Sequence, residues 1–259
     1  MSGGPERITS RRNPLLARLR RLTQDNAGYR RSGELWLEGE HLCTAALARG
    51  LAPSLAVLDE AASAAEPLRA IASRAARQVL LPPALFRSIS ALESPGRIGC
   101  VLSLPATPAI DPQAASVVLD RVQDAGNVGS IMRSAAAFGV RQVLALGGTA
   151  ALWSPKVLRA GMGAHFALRL VEGLDEGALD VLAVPLVAAS PHALEALERG
   201  VLPQPCAWIF GHEGQGVSAA LRARCARVLR IPQPGGEESL NVAAAAAVCL
   251  YESMRRAGG

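Results

Sequence analysis

The stretch SVVLDRVQDAGNVGSIMRSAAAFGVRQVLALGG, Ser116 to Gly148, decides the fold class. Its first segment, SVVLDRV, is a nearly continuous apolar run of strand length, the pattern of a strand covered on both faces in a parallel sheet. An alanine-rich helix follows, closed by Gly139, and RQVLALGG returns as a second apolar strand. The alternation continues through the strand VPLVAAS, a helix HALEALERG, the strands CAWIFG and RVLRIPQ, and the long helix SLNVAAAAAVCLYESMRR. This order predicts an α/β domain built on a parallel sheet with helices on both faces. Such sheets take their ligands at the carboxyl ends of the strands, in crevices formed by the loops.

Upstream, Pro105, Pro108 and Pro112 fall within eight residues of SLPATPAIDPQ and suit an extended connector. The expected division is a first domain over 1–103, a linker over 104–114 and a second domain over 115–259. Within the first, NPLLARLRRL reads as an amphipathic helix with Leu15, Leu16, Leu19 and Leu22 on one face. GELWLEG, SLAVLDE and QVLLP read as strands. EHLCTAALARG, ending at Gly50, and the region of PLRAIASRAA read as helices. These short elements make a small α/β module.

Half of the 259 residues are hydrophobic, enough for a substantial core. The longest apolar runs fall short of the roughly 20 residues that cross a bilayer. MSGGPERITSRRNP is polar and basic, so no secretory signal is expected there. The five cysteines are scattered and the four histidines complete no ligand spacing, which points to a reduced cytoplasm and no structural metal. Residues 1–103 hold 14 arginines against 9 acids, whereas the remainder balances 13 basic residues with 13 acidic ones. Eight arginines lie between Arg7 and Arg31, with Asp25 the single acid among them. That density suits a phosphate-backbone footprint, with a solvated helix face as the alternative.

Three loops at strand ends carry the polar residues that packing does not explain. The first holds Asn127, Gly129 and Arg133. Asn127 can serve as a helix N-cap and Arg133 as an ordinary surface side chain, but the apolar neighbours of Arg133 on the helix favour a charge either half-buried and paired or kept for a ligand. The second, FGHEGQGVS, permits close backbone approach to a ligand. It matches neither a dinucleotide fingerprint nor a Walker loop. Glu213 can cap the next helix or belong to a site. In the third, IPQPGGEESLNVA, Ser239 can cap the helix beginning near Leu240, whereas Asn241 has no comparable structural role.

Together and in this order, N-x-G-x-x-x-R, F-G-x-E-G-x-G and I-P-x-x-x-x-x-E-S-L-N-V-A resemble the three signature motifs of the SpoU (TrmH) family of RNA methyltransferases, within the SPOUT superfamily. SPKVLRAGMGAHFALRLV looks like the family's connecting segment, and the N-terminal part resembles its RNA substrate-binding module. The resemblance implies transfer of a methyl group from S-adenosylmethionine to a ribose 2′-hydroxyl of ribosomal or transfer RNA. It also implies a deep trefoil knot, a cytoplasmic homodimer and a cofactor held by backbone groups at Gly211, Ile231 and Leu240, with Ala189 and Ser190 beside them. A cofactor pressed against backbone would further account for Gly214, Gly216, Gly235 and Gly236. Arg133 matches the activating arginine, and Asn127, Glu213, Ser239 and Asn241 match the other polar positions. Glu213 is expected to fix Arg133 or Asn127. Ser239 and Asn241 are expected to hold the ribose and the loop geometry. Two positions depart from the pattern. His212, where asparagine or a small residue is expected, either adds a hydrogen bond or fills space, and Gly161 stands where serine is common. A non-catalytic RNA-binding or assembly factor on the same scaffold, or an oxidoreductase on a Rossmann-like sheet, are the competing readings.

Overall fold

The computed structural model describes residues 4–235 and 239–258. Along the chain come β1 (Glu6–Arg7), α1 (Pro14–Gln24), α2 (Gly28–Ser32), β2 (Glu34–Glu38), α3 (Glu40–Leu47), β3 (Leu55–Asp59), α4 (Glu66–Ala72), β4 (Gln78–Leu81), α5 (Pro83–Ile89) and β5 (Ile98–Ser103). They continue with β6 (Ser116–Asp120), α6 (Ala125–Ala137), β7 (Gln142–Leu146), α7 (Pro155–Gly161), β8 (Arg169–Leu174) and β9 (Leu186–Ala189). The last are β10 (Glu195–Ala196), β11 (Ala207–Gly211), α8 (Ala219–Arg224), β12 (Arg227–Arg230) and α9 (Val242–Ala257). Contacts divide the chain into two compact units, Met1–Ala106 with Trp153–Phe166, and Thr107–Leu152 with Ala167–Gly259.

The first unit is a mixed five-stranded sheet in the order β1-β4-β3-β5-β2. Helix α1 starts where Asn13 Oδ1 accepts the Leu15 N–H at 2.9 Å and Pro14 supplies a preset φ. Its Leu15, Leu16, Leu19 and Leu22 are buried against the sheet's core, as their spacing predicts. Strands β1 and β5 and helix α5 were not evident in the sequence. IGCVLS abuts the proline connector and is interrupted by Gly99. That glycine is required, because a Cβ there would lie 2.1 Å from the Trp36 ring on the neighbouring strand. Helix α3 stops at Leu47, three residues before Gly50. Helix α7 also belongs to this unit, capped by Ser154 and burying Val157 and Leu158.

Beside α7, the buried His165 ring explains the departure at Gly161. A Cβ on Gly161 would come within 2.5 Å of that imidazole, so the ring occupies the space of a side chain at that position.

The second unit carries an all-parallel seven-stranded sheet in the order β10-β12-β9-β11-β6-β7-β8. This is the parallel α/β sheet that the Ser116–Gly148 stretch predicts. Every residue of β6, β7 and β11 is buried, which accounts for their continuous apolar sequences. HALEALERG is a correction to the sequence reading. Only Glu195–Ala196 has regular structure, as an edge strand beside β12, and the rest is turns. The Arg256 guanidinium donates to the carbonyls of Leu197 and Gly200, each at 2.6 Å, and Leu194 is 98% exposed. The backbone is thus satisfied from outside, and no apolar helical face is buried.

Candidate active site

Adjacent strands β12, β9, β11 and β6 end on the same side of the parallel sheet, so their following loops gather there. The loops after β9, β11 and β12 enclose a cavity of about 580 Å³. Gly211, Ile231 and Leu240, the three backbone positions expected to hold a cofactor, all line it, as do Ala189, Ser190, Gly214, Glu213 and Ser239. Gly236 lies outside the described residues. At Gly211 the chain passes so close to its own return that a Cβ would sit 2.1 Å from the Gly216 carbonyl carbon and 2.2 Å from the Val217 nitrogen. Only glycine allows that approach.

A chain of hydrogen bonds connects all three loops. Glu213 accepts from the backbone N–H groups of Gln123 (3.2 Å) and Asp124 (3.1 Å) and from Asn127 Nδ2 (3.1 Å). Asn127 Oδ1 in turn accepts from Asn241 Nδ2 at 3.0 Å. Asn241 Oδ1 then accepts the Ala243 and Ala244 N–H groups at the start of α9. A carboxylate only accepts, so it fixes which way both amides face. Partial burial pushes the Glu213 carboxyl up, but the donors from Asn127, Asp124 and Gln123 outweigh this and hold it below the usual carboxylate range.

These bonds revise three cap assignments. Asp124 caps α6, accepting the Asn127 N–H at 2.8 Å, so Asn127 is free to bridge. Asn241, not Ser239, caps α9. Ser218, not Glu213, caps α8. Of the two expected partners of Glu213, the structure gives Asn127.

Arg133 sits on the exposed side of α6 and has no hydrogen bond or ion pair among the described residues. It does not line the cavity of its own chain. Arg133 is therefore not the half-buried, paired charge; its placement is that of an exposed surface side chain, with no partner within its own chain among the described residues.

One cluster went unread in the sequence. Asp120, at the end of β6, is 2% exposed and accepts from the Ser218 N–H at 2.7 Å and from Arg121 Nε at 2.8 Å. Arg121 adopts φ +58°, a conformation L-residues rarely take, and its Nη1 donates to Gln215 Oε1 at 2.9 Å. This pair straps the second loop from beneath. A lone acid ending an apolar strand was the available signal. Gln233 was also missed: it lines the cavity, and its buried Oε1 has no hydrogen-bond partner among the described residues.

In the first unit, several of the eight clustered arginines are engaged. Arg7 pairs with Glu60, Arg18 with Glu34 and Arg31 with Asp25, while Arg20 binds Ser88. Arg11, Arg12 and Arg21 are exposed and their guanidinium groups have no partner among the described residues. Burial pushes the Cys206 and Cys249 thiols up to about 12, so both act as apolar packing groups. Among the described residues, no group of three His, Cys, Asp or Glu side chains could hold a metal ion.

A parallel sheet whose strand-end loops enclose a nucleoside-sized cavity, with a linked set of polar side chains at its mouth, defines an α/β enzyme working beside a bound cofactor. The chain belongs to the SpoU rRNA Methylase family, whose model matches residues 114–251, and it is a methyltransferase. It is 32% identical over 219 residues to the 23S rRNA (guanosine(2553)-2′-O)-methyltransferase of Bacillus subtilis, covering 83% of this chain and 86% of that protein. An AdoMet-bound rRNA methyltransferase from Sinorhizobium meliloti superposes with a TM-score of 0.85 at 27% identity, over 98% of this chain and 99% of that one. The SpoU methyltransferase AviRb from Streptomyces viridochromogenes, solved with AdoMet, gives 0.86 at 26% identity, over 96% and 99%.

Proposed function

We propose that this chain transfers a methyl group from S-adenosylmethionine to a ribose 2′-hydroxyl of ribosomal RNA, working in the cytoplasm as a homodimer. The observation that carries the reading is the convergence of three distant loops: Glu213, Asn127 and Asn241 form one polar chain at the mouth of the cavity lined by Gly211, Ile231 and Leu240.

The cavity fits the cofactor on its own terms. The backbone approaches itself closely at Gly211 in its wall, and Gln233 Oε1 offers a buried acceptor that an amino group can satisfy. When bound, S-adenosylmethionine supplies an electrophilic methyl carbon on a positively charged sulfur. Gly211, Ile231 and Leu240 would hold it through backbone groups. Asn127 and Asn241 are held in fixed orientation by Glu213, which presents a preorganised polar edge to the ribose. A guanidinium is not deprotonated in proteins, so the role assigned to Arg133 is electrostatic: orienting the hydroxyl and stabilising negative charge that develops on its oxygen. The freedom of Arg133 from partners in its own chain supports this assignment. Ser239 contributes to the ribose side of the cavity.

Among the described residues, Arg11, Arg12 and Arg21, the unpaired members of the N-terminal cluster, supply the phosphate contacts. The dimer rests on an exposed apolar stripe of α9, Val248 (41%), Tyr251 (50%) and Met254 (40%), on the helix against which α6 packs. No helix among the described residues is long and apolar enough to cross a membrane. The test is a map of 2′-O-methyl positions in total RNA with and without the gene. The expected result is loss of a ribosomal RNA site, restored by the wild-type chain and not by Arg133→Ala. An unchanged map overturns the reading.

A further inference from the structure

His212 follows Gly211 directly and lines the cofactor cavity. Its Nδ1 lies 3.0 Å from the Gly214 backbone nitrogen and 3.3 Å from that of Gln215. Its carbonyl oxygen accepts the Gly216 N–H at 2.7 Å, and the two residues form an isolated antiparallel bridge. Three successive amides, from 214 to 216, therefore end on a single residue. This closure sets the return of the chain past Gly211, where a Cβ would be 2.1 Å from Gly216.

Backbone N–H groups only donate, so Nδ1 must be an unprotonated acceptor, which assigns the neutral Nε2–H tautomer. We infer that His212 is a positioning residue for the cofactor, holding the second loop closed through the lone pair of its Nδ1, and that cofactor binding requires this imidazole to be neutral. The inference rests on the methyltransferase reading above and extends it to a residue outside the expected set. An asparagine Oδ1 at position 212 does the same work, because a side-chain carbonyl accepts from amides two and three residues on. The difference is that imidazole titrates near neutrality and an amide does not.

Protonation of Nδ1 removes both acceptances and places a donor against two donors. Among the described residues, the charged and titratable groups that face this cavity or its loop are Glu213 beside the ring, His192 and Arg222 on the cavity wall, and the Asp120–Arg121 pair that reaches the loop through Gln215. Asn in place of His leaves all of these unchanged, so their own titration cancels in the comparison.

The experiment is calorimetric titration of the full chain with S-adenosylmethionine between pH 5 and 7.5, for wild type, His212→Asn and His212→Ala. At pH 7.5, His212→Asn is expected to bind within about threefold of wild type, and His212→Ala at least about tenfold more weakly. As pH is lowered from 7.5 to 5, wild-type affinity is expected to fall relative to His212→Asn, by up to about tenfold per pH unit. The ¹⁵N shifts of His212 in the folded protein are expected to show a bare Nδ1 and a protonated Nε2 at pH 7.5. Parallel pH profiles for wild type and His212→Asn, or a protonated Nδ1, overturn the inference while leaving the function intact. If His212→Ala does not fold, the comparison of wild type with His212→Asn decides alone. Failure of every form to bind S-adenosylmethionine at any pH overturns the functional reading instead.

Discussion

Asn241→Asp separates two jobs that one side chain performs. Asn241 Oδ1 caps α9 through the Ala243 N–H at 2.9 Å and the Ala244 N–H at 3.3 Å, while Nδ2 donates to Asn127 Oδ1 at 3.0 Å. Aspartate caps helices about as well as asparagine and gains from the helix dipole, so the cap survives. The bridge does not. The carboxylate would face Asn127 Oδ1, acceptor against acceptor, and Asn127 cannot flip without turning that oxygen onto Glu213. A hydrogen bond replaced by an unsatisfied pair at a site costs about 1–3 kcal/mol. That corresponds to a loss of about 5- to 150-fold in kcat/KM if Asn127 must be held for catalysis. Asn241→Ala removes the cap as well, adding about 0.5–2 kcal/mol of destabilisation. The assay is transfer of labelled methyl to ribosomal RNA alongside thermal unfolding. Asn241→Asp is expected to melt near wild type yet transfer slowly, while Asn241→Ala is expected to be impaired in both. A double-mutant cycle with Asn127→Ala should return a coupling above about 0.5 kcal/mol. Wild-type turnover by Asn241→Asp would refute the polarity of the Glu213–Asn127–Asn241 chain.

Three further outcomes are expected. Arg133→Ala abolishes methyl transfer and leaves S-adenosylmethionine affinity nearly intact; normal turnover by this variant would remove Arg133 from the mechanism. Gly211→Ala forces backbone apart where its Cβ would stand 2.1 Å from Gly216, so cofactor affinity should fall more than about tenfold; calorimetry giving a Kd within twofold of wild type would contradict this. Glu252, bonded to Arg255 and, against the opposing effect of burial, also to Arg256, is held at about 2, below its ordinary 4.5. A depressed carboxylate adds stability above its unfolded value and loses it as pH falls through the folded one. The Tm difference between wild type and Glu252→Gln should therefore be constant above pH 5 and shrink towards pH 2, and a pH-independent difference would disprove the link.

The parallel sheet was legible because β6, β7 and β11 are buried along their whole length and write that burial as unbroken apolar runs. Short elements were less legible. IGCVLS carries a strand whose Gly99 serves a tryptophan from another strand, and no local pattern records that. HALEALERG has helical spacing, yet its carbonyls are taken by an arginine 56 and 59 residues further on. Gly211, Glu213, Ile231, Ser239 and Leu240 gather around one cavity and Asn127 and Asn241 are bonded to Glu213, directly and through Asn127 respectively, but Arg133 stands apart, and which residue caps and which bridges was not legible. Whether Asn127 or Asp124 caps α6, and whether Ser239 or Asn241 caps α9, is settled by backbone direction in the loops. The bond that recruits Asn241 spans 114 positions. His212 was flagged as unusual, and only the positions of two amides showed why it is tolerated.

Trp153–Phe166 interrupts the sequence of the second unit but keeps company with the first, burying Val157 and Leu158 there. The N-terminal module is therefore not a detachable cassette. Cutting at the proline-rich stretch would sever one of its three covalent crossings, at 106/107, and leave those at 152/153 and 166/167. The liberated C-terminal fragment would display the buried apolar side chains of α7 with nothing to rest on. Recombination that swaps the N-terminal unit between relatives would have to exchange this internal stitch along with the front end.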